Sequence, residues 1–258
     1  MARSTDQRID QWKAEQQTPW MQLKERLVAD TLRATMPPPP AQILDAGGGN
    51  GVDALALARQ GYRVTLLDSA AAMIAEARQT VIAEGLADRC AIIQGDVAQM
   101  GEHVPPATFD AVLCHNVLQY VPDVPQLLAD LGQVLRPGGL LSLLSINRHS
   151  APFQAAFLHH DLERALRSLD ERQQLTTIFA TPMNLFTADE VIAMLEGQRF
   201  TIIAHVGIRC ICDYWGSNEE KTITPSKIVS KSRPTGLNGA LVLPWASRAG
   251  SREGCQLG

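Results

Sequence analysis

The chain lacks any apolar run long enough to span a bilayer, and its first residues, MARSTDQRIDQWKAEQQ, are polar with no apolar signal core. Its five cysteines (Cys90, Cys114, Cys210, Cys212, Cys255) fit neither a zinc-ligand spacing nor a disulfide framework. His159 and His160 have no carboxylate or cysteine partner at metal spacing, so no metal is expected. There is no basic excess either. Lys and Arg number 23 against 27 Asp and Glu, a formal charge of −4, which argues against nucleic-acid binding by bulk charge while allowing a local basic patch. Internal repeats are missing too. These gaps together leave a reduced, soluble, cytoplasmic protein with no membrane partner as the expectation.

What is present suits one domain of ordinary size. The chain has 258 residues, 45% of them hydrophobic, enough for a sizeable core. Residues 18–35 carry Trp20, Leu23, Leu27, Val28 and Leu32 at helical spacing, and the prolines from Pro37 to Pro40 end that helix. Strands are predicted at 43–45, 62–68, 90–94, 109–114 and 140–146, with helices at 52–60, 70–84 and 124–135 between them. This alternation predicts an α/β fold, a doubly wound and mostly parallel sheet with right-handed crossovers. The strands lack polar alternation, as expected when helices cover both faces. Residues 153–179 read as a helical cap, 187–196 as a helix opened by a Thr187–Glu190 capping box, and 200–210 as a sixth strand. The expected organisation is a helical lid and proline spacer over 1–40, a main domain over 41–216 with its cap at about 150–182, and an atypical tail over 217–258. In that tail only 239–245 offers a candidate strand.

The informative stretch is 43-ILDAGGGNGVDALALARQGYRVTLLD-68. Glycine in a strand-to-helix turn lets the main chain come close to a ligand. A carboxylate ending the next strand is well placed to grip a pair of hydroxyls. The pattern Asp45-x-Gly47-x-Gly49-x-Gly51, with Asp68 closing the second strand, points to a nucleoside-containing cofactor. A nicotinamide fingerprint reads G-x-G-x-x-G; from Gly49 its sixth place falls on Ala54, so glycine count alone leaves that alternative open. Simpler roles also remain: Asp68 as a helix cap, Asp96 as a surface turn residue and Met73 as core.

The spacing D-x-G-x-G-x-G resembles motif I of the class I methyltransferases that use S-adenosylmethionine. Gly95-Asp96-Val97, 109-FDAVLCHNVLQYV-121 and 135-LRPGG-139 resemble that family's later motifs in the same order. The resemblance implies a Rossmann-like methyltransferase core with S-adenosyl-L-methionine as cofactor. It implies backbone contacts at Gly47, Gly49 and Gly51, with Asp45 on the cofactor's amino group and Asp68 on its ribose. It further places Ser69, Met73, Asp96, Val97 and His115 at the cofactor, His115 being alternatively a general base or a surface histidine.

DAGGG, VLRPGGLLSL and 207-GIRCICDYW-215 resemble one branch in particular, the tRNA 5-carboxymethoxyuridine methyltransferases, over residues 18–215. That likeness implies a tRNA carboxylate as acceptor, Arg209 pairing with it and Tyr214 and Trp215 stacking on a base. No general base would then be needed, which leaves His115, Arg209 and Tyr214 as catalytic candidates. The branch's cofactor-reaching arginine is replaced here by Lys24, with Arg26 nearby, and residues 217–258 do not resemble the branch. The alternative acceptor is a small metabolite in a pocket formed with Trp12, Trp20 and Phe153.

Overall fold

A computed structural model describes residue 14 and residues 16–176, 181–208 and 239–244. Helix α1 (Pro19–Thr35) opens with a proline in its first turn, where a missing N–H costs nothing. It buries Val28 and Leu32 against the sheet. The strands are β1 (Gln42–Ala46), β2 (Arg63–Asp68), β3 (Cys90–Gln94), β4 (Phe109–His115), β5 (Leu135–Ser145), β8 (Ala204–Gly207) and β9 (Gly239–Pro244), with a separate hairpin of β6 (Gln173–Leu175) and β7 (Pro182–Asn184). The main sheet runs β3-β2-β1-β4-β5-β9-β8. Its first five strands are parallel, and β9 is antiparallel to both neighbours. The strand order reverses between β1 and β4, so a crevice forms at their carboxyl ends.

Helices α2 (Val52–Arg59), α3 (Ala71–Ala83), α4 (Met100–His103), α5 (Val124–Val134) and α8 (Ala188–Gly197) cover the two faces. Successive side chains on a strand point to opposite faces. Leu44, Val112, Leu141 and Leu143 therefore pack with α5 and α8. Ile43, Ala111, Leu113, Leu140 and Leu144 pack with α1, α2 and α3. By the same parity Asp45, His115 and Ser142 lie on the α2 face. That parity builds the site.

Three expectations are corrected. The cap is not one helical stretch: α6 (Ser150–Phe157) and α7 (Leu162–Ser168) are followed by the β6–β7 hairpin. His160 has φ 51 and breaks the helix, and Asp161 restarts it by accepting from the Arg164 N–H at 2.8 Å. The 136–139 turn does not precede β5 but lies inside it; Leu135 already pairs with Phe109, and the Pro-Gly-Gly forms an irregularity before Leu140 pairs with Ala111. The sixth strand is shorter than expected, at Ala204–Gly207, because Phe200 turns into the core instead of extending; residues 209 and 210 lie outside the described residues. The candidate strand in the tail does occupy the sheet. Gly239–Pro244 lies between β5 and β8, matching Leu141 with Leu243 and Val206 with Ala240.

The cap is tied to α8 through Glu190. Its carboxylate accepts from Arg148 at 3.0 Å, Arg172 at 2.8 Å and the Thr187 N–H at 2.8 Å. Burial pushes the Glu190 carboxyl up, but the Thr187 N–H and the two guanidiniums outweigh it and hold it down at about 2. Glu190→Ala removes the capping box and both ion pairs, and should cost ~2 kcal/mol. A thermal melt lowered by several degrees is the expected reading; an unchanged melting temperature would contradict it.

Candidate functional site: the glycine turn and its carboxylates

Strand β1 ends at Asp45-Ala46, and the chain turns back through Gly47 to Gly51 into α2. Gly47, Gly49 and Gly51 have φ of 76, 57 and 84, the left-handed region that side chains avoid. The turn is anchored by Gly47 N–H donating to the Leu67 carbonyl at 2.7 Å and Gly51 N–H donating to that of Gly48 at 2.9 Å. A Cβ on Gly47 would run into the Val117 side chain, and one on Gly48 into Asp45. A Cβ on Gly49 would meet nothing within 4 Å. Bare backbone thus faces open space at Gly49 alone of the three.

Asp45 is 2% exposed and lies beneath this turn. Its Oδ2 finds no hydrogen-bond partner among the described residues. Burial, then the neighbouring Asp53 charge, raises its carboxyl to about 7, against the opposing pull of His115 and the Ala54 N–H. Such an oxygen calls for a cation or a proton donor.

Asp68 ends β2 with one oxygen accepting from the Gly49 N–H and the other from the Ala70 N–H, both at 2.8 Å. It therefore caps the approach to α3 and at the same time braces the glycine turn. A carboxylate has about four acceptor positions, so it retains capacity for a diol. Ser69 is exposed and Met73 half-buried near the start of α3. The exposed Asp96 accepts from the Ala98 N–H at 2.9 Å, a turn-capping role, while Val97 packs on the edge of the core. Gly95 N–H donates to the Asp68 carbonyl at 3.0 Å, which brings this segment beside the β2 exit.

His115 ends β4 and is held from both sides. Its Nδ1 is 2.7 Å from Asp53 Oδ2, and its Nε2 is 2.9 Å from Ser142 Oγ. Burial pushes the Asp53 carboxyl up, but His115 and then Lys24 outweigh it and bring it below the usual range. Lys24, half-buried on α1, thus belongs to this electrostatic neighbourhood. Arg26 is exposed. Arg209 and Tyr214 lie outside the described residues. Among the described residues no group of His, Cys, Asp and Glu is arranged to hold a metal, and no helix is long and apolar enough to cross a membrane.

Sequence reasoning missed Asp53 and Ser142. Ser142 carried a signal, being the one polar side chain within the apolar run 140-LLSLL-144.

A turn of left-handed glycines, an unpartnered buried carboxylate oxygen beneath it and a second carboxylate on the next strand suit a ligand with a cationic group and a ribose. Residues 44–143 match the family model described as a methyltransferase domain. The tRNA 5-carboxymethoxyuridine methyltransferase of Escherichia coli K12 is 39% identical over 185 residues, covering 72% of this chain and 69% of that protein.

The chain belongs to the class I S-adenosylmethionine-dependent methyltransferases.

The ubiquinone biosynthesis O-methyltransferase of Xylella fastidiosa (strain 9a5c) is 36% identical over 129 residues, 49% of this chain and 50% of that one. In fold, the chain superposes on a Mesorhizobium loti S-adenosylmethionine-dependent methyltransferase with a TM-score of 0.62 at 22% identity, covering 83% of this chain and 96% of that structure. The methyltransferase is therefore an enzyme with S-adenosylmethionine as its cofactor, and the nicotinamide alternative is dropped.

Proposed function

We propose that this methyltransferase esterifies a carboxylate, that of 5-carboxymethoxyuridine in tRNA. The observation that carries the reading is His115, the candidate base at the end of β4, whose two ring nitrogens are both engaged by protein groups. A carboxylate acceptor is already ionised, so no side chain has to remove a proton. The likeness to the E. coli enzyme supports the same acceptor.

When bound, the cofactor would supply a methyl group activated by its sulfonium. The chain's contribution is alignment and exclusion of water. Asp45 would hold the cofactor's amino group, the backbone at Gly47, Gly49 and Gly51 its amino-acid part, and Asp68 its ribose. Lys24, Ser69, Met73, Asp96 and Val97 would border it, with His115 beneath the turn. Arg209 would pair with the acceptor carboxylate and Tyr214 stack on its base. A cavity of about 550 Å3 beyond the β4 exit suits the base of the acceptor or a neighbouring nucleotide. Its walls include the apolar Pro122, Pro125 and Phe186 and the polar Arg172, Gln173 and Asn184.

The test is incubation of a stem-loop RNA bearing 5-carboxymethoxyuridine with methyl-labelled S-adenosylmethionine. Label entering the RNA as an alkali-labile ester is the expected result. No label in RNA, from protein that still binds S-adenosylhomocysteine, would sink the tRNA reading; transfer to a phenolic acceptor instead would favour a small metabolite. Asp68→Ala should weaken S-adenosylhomocysteine binding by roughly 1.5–3 kcal/mol, the scale of hydrogen bonds to a charged group. An unchanged dissociation constant in calorimetry would contradict the ribose contact.

A further inference from the structure

We propose that His115 is a positioning residue acting through Asp53 and Ser142: its ring pins the first turn of α2, and with it the glycine turn, across the ends of β4 and β5. The three residues come from three elements that share one face of the sheet. Strand parity places them there. Leu113 of β4 is in register with both Asp45 of β1 and Ser142 of β5, so His115, two residues on, projects from the same side toward α2. Asp53 is the second residue of α2 and two residues beyond Gly51, whose left-handed backbone starts that helix.

The proton positions follow from what each partner can do. Asp53 is ionised and can only accept, so Nδ1 carries the proton and donates to it. In the neutral ring Nε2 is then an acceptor and receives the Ser142 hydroxyl proton. With both nitrogens occupied, the ring has no free lone pair to offer a substrate. The order carboxylate, imidazole, hydroxyl is that of a serine hydrolase, but Ser142 is 2% exposed within β5, so its hydroxyl is shielded from any substrate. The arrangement holds structure in place. A second grip lies two residues beyond His115, where Val117 packs against Gly47 so closely that no Cβ fits between them. The exit of β4 thus clasps the cofactor turn at both ends, by packing at Gly47 and by hydrogen bonding at Asp53.

The charged groups bearing on this unit include Lys24 and Glu25 from α1 and Asp45 from β1, with Asp68 of β2 acting in turn on Asp45. Lys24 is the counter-cation of Asp53, and the neutral His115 ring donates to it. A ring held in place therefore also fixes where negative charge sits beneath the turn, which is a means of tuning cofactor affinity without touching the cofactor.

The readout is S-adenosylhomocysteine affinity, which does not depend on the identity of the acceptor. His115→Leu fills the volume without hydrogen bonds and should raise Kd at least tenfold. His115→Asn, whose amide N–H replaces Nδ1–H, should stay within threefold of the unaltered protein. Ser142→Ala should weaken binding alone yet add less than twofold in the His115→Leu background, because it acts through the ring. Asp53→Ala should do the same at pH 8, above the Asp45 carboxyl at about 7, where loss of the Asp53 charge no longer changes the Asp45 protonation state. In nitrogen-15 spectra a protected, downfield Nδ1 proton should persist in Ser142→Ala and vanish in Asp53→Ala. The proposal is overturned if His115→Leu binds as tightly as the unaltered protein, or if it matches His115→Asn, which would make the ring a space-filler. Full additivity in the His115→Leu background, or a resonance indifferent to Asp53→Ala, would overturn it equally.

Discussion

Replacing Gly49 by valine is expected to abolish S-adenosylhomocysteine binding while the protein still folds. The two halves of that outcome have separate causes. Space is available, since a Cβ at Gly49 meets no protein atom within 4 Å. The added methyl groups would project into that open region, where the cofactor's amino-acid part is proposed to lie. The backbone cost is that of a β-branched residue at φ 57, about 1–2 kcal/mol, partly offset by the loss of glycine's freedom in the unfolded chain. That strain would also loosen the Gly49 N–H bond to Asp68. A modestly lowered melting temperature with no calorimetric signal up to millimolar ligand is the expected pair of readings; retained micromolar affinity would sink the assignment of this turn to the cofactor. Gly47 offers the contrast: its Cβ would strike Val117, so substitution there should damage folding as well as binding.

That contrast marks what a sequence can show and what it withholds. The glycine turn, the closing aspartate of β2 and the alternation of apolar strands with amphipathic helices are local patterns, so the parallel sheet was legible from residues 41–147. The β6–β7 hairpin was not: Gln173 and Gln174 are polar, and the β6 strand is only three residues long, too short for alternation to declare itself. The segment Gly239–Pro244 was visible as a short apolar run, but its place between β5 and β8 depends on an edge of β5 that needs a partner. Asp53 and Ser142 were hidden for a related reason. Each is unremarkable within its own element, one an acid in the first turn of a helix and the other a serine in a strand. Only the register of β4 on β5 and the approach of α2 bring them to opposite nitrogens of one imidazole.

The same placement gives Asp45 an expected pH dependence with a definite sign. In the unliganded protein its carboxyl is raised to about 7 by burial and by the Asp53 charge, from an ordinary value of 3.8. Between those two pH values the folded state holds a proton that the unfolded chain has released. Stability should therefore fall as pH rises from about 4 to about 7 and then level off, with a contribution on the order of 4 kcal/mol from this group. Asp45→Asn keeps the shape, carries no charge and should remove that slope. Cofactor binding should run the other way. An amino group held by the carboxylate favours the ionised form, so the free protein must give up the Asp45 proton on binding below pH 7. Affinity for S-adenosylhomocysteine should then strengthen by up to tenfold per unit as pH rises toward 7, and become flat above it. Calorimetry at pH 6 in buffers of different ionisation enthalpy should report nearly one proton released per ligand bound. A dissociation constant that stays constant from pH 5.5 to 8 in folded protein would mean that Asp45 is already ionised under the turn, with its unpartnered oxygen satisfied by some group other than the ligand.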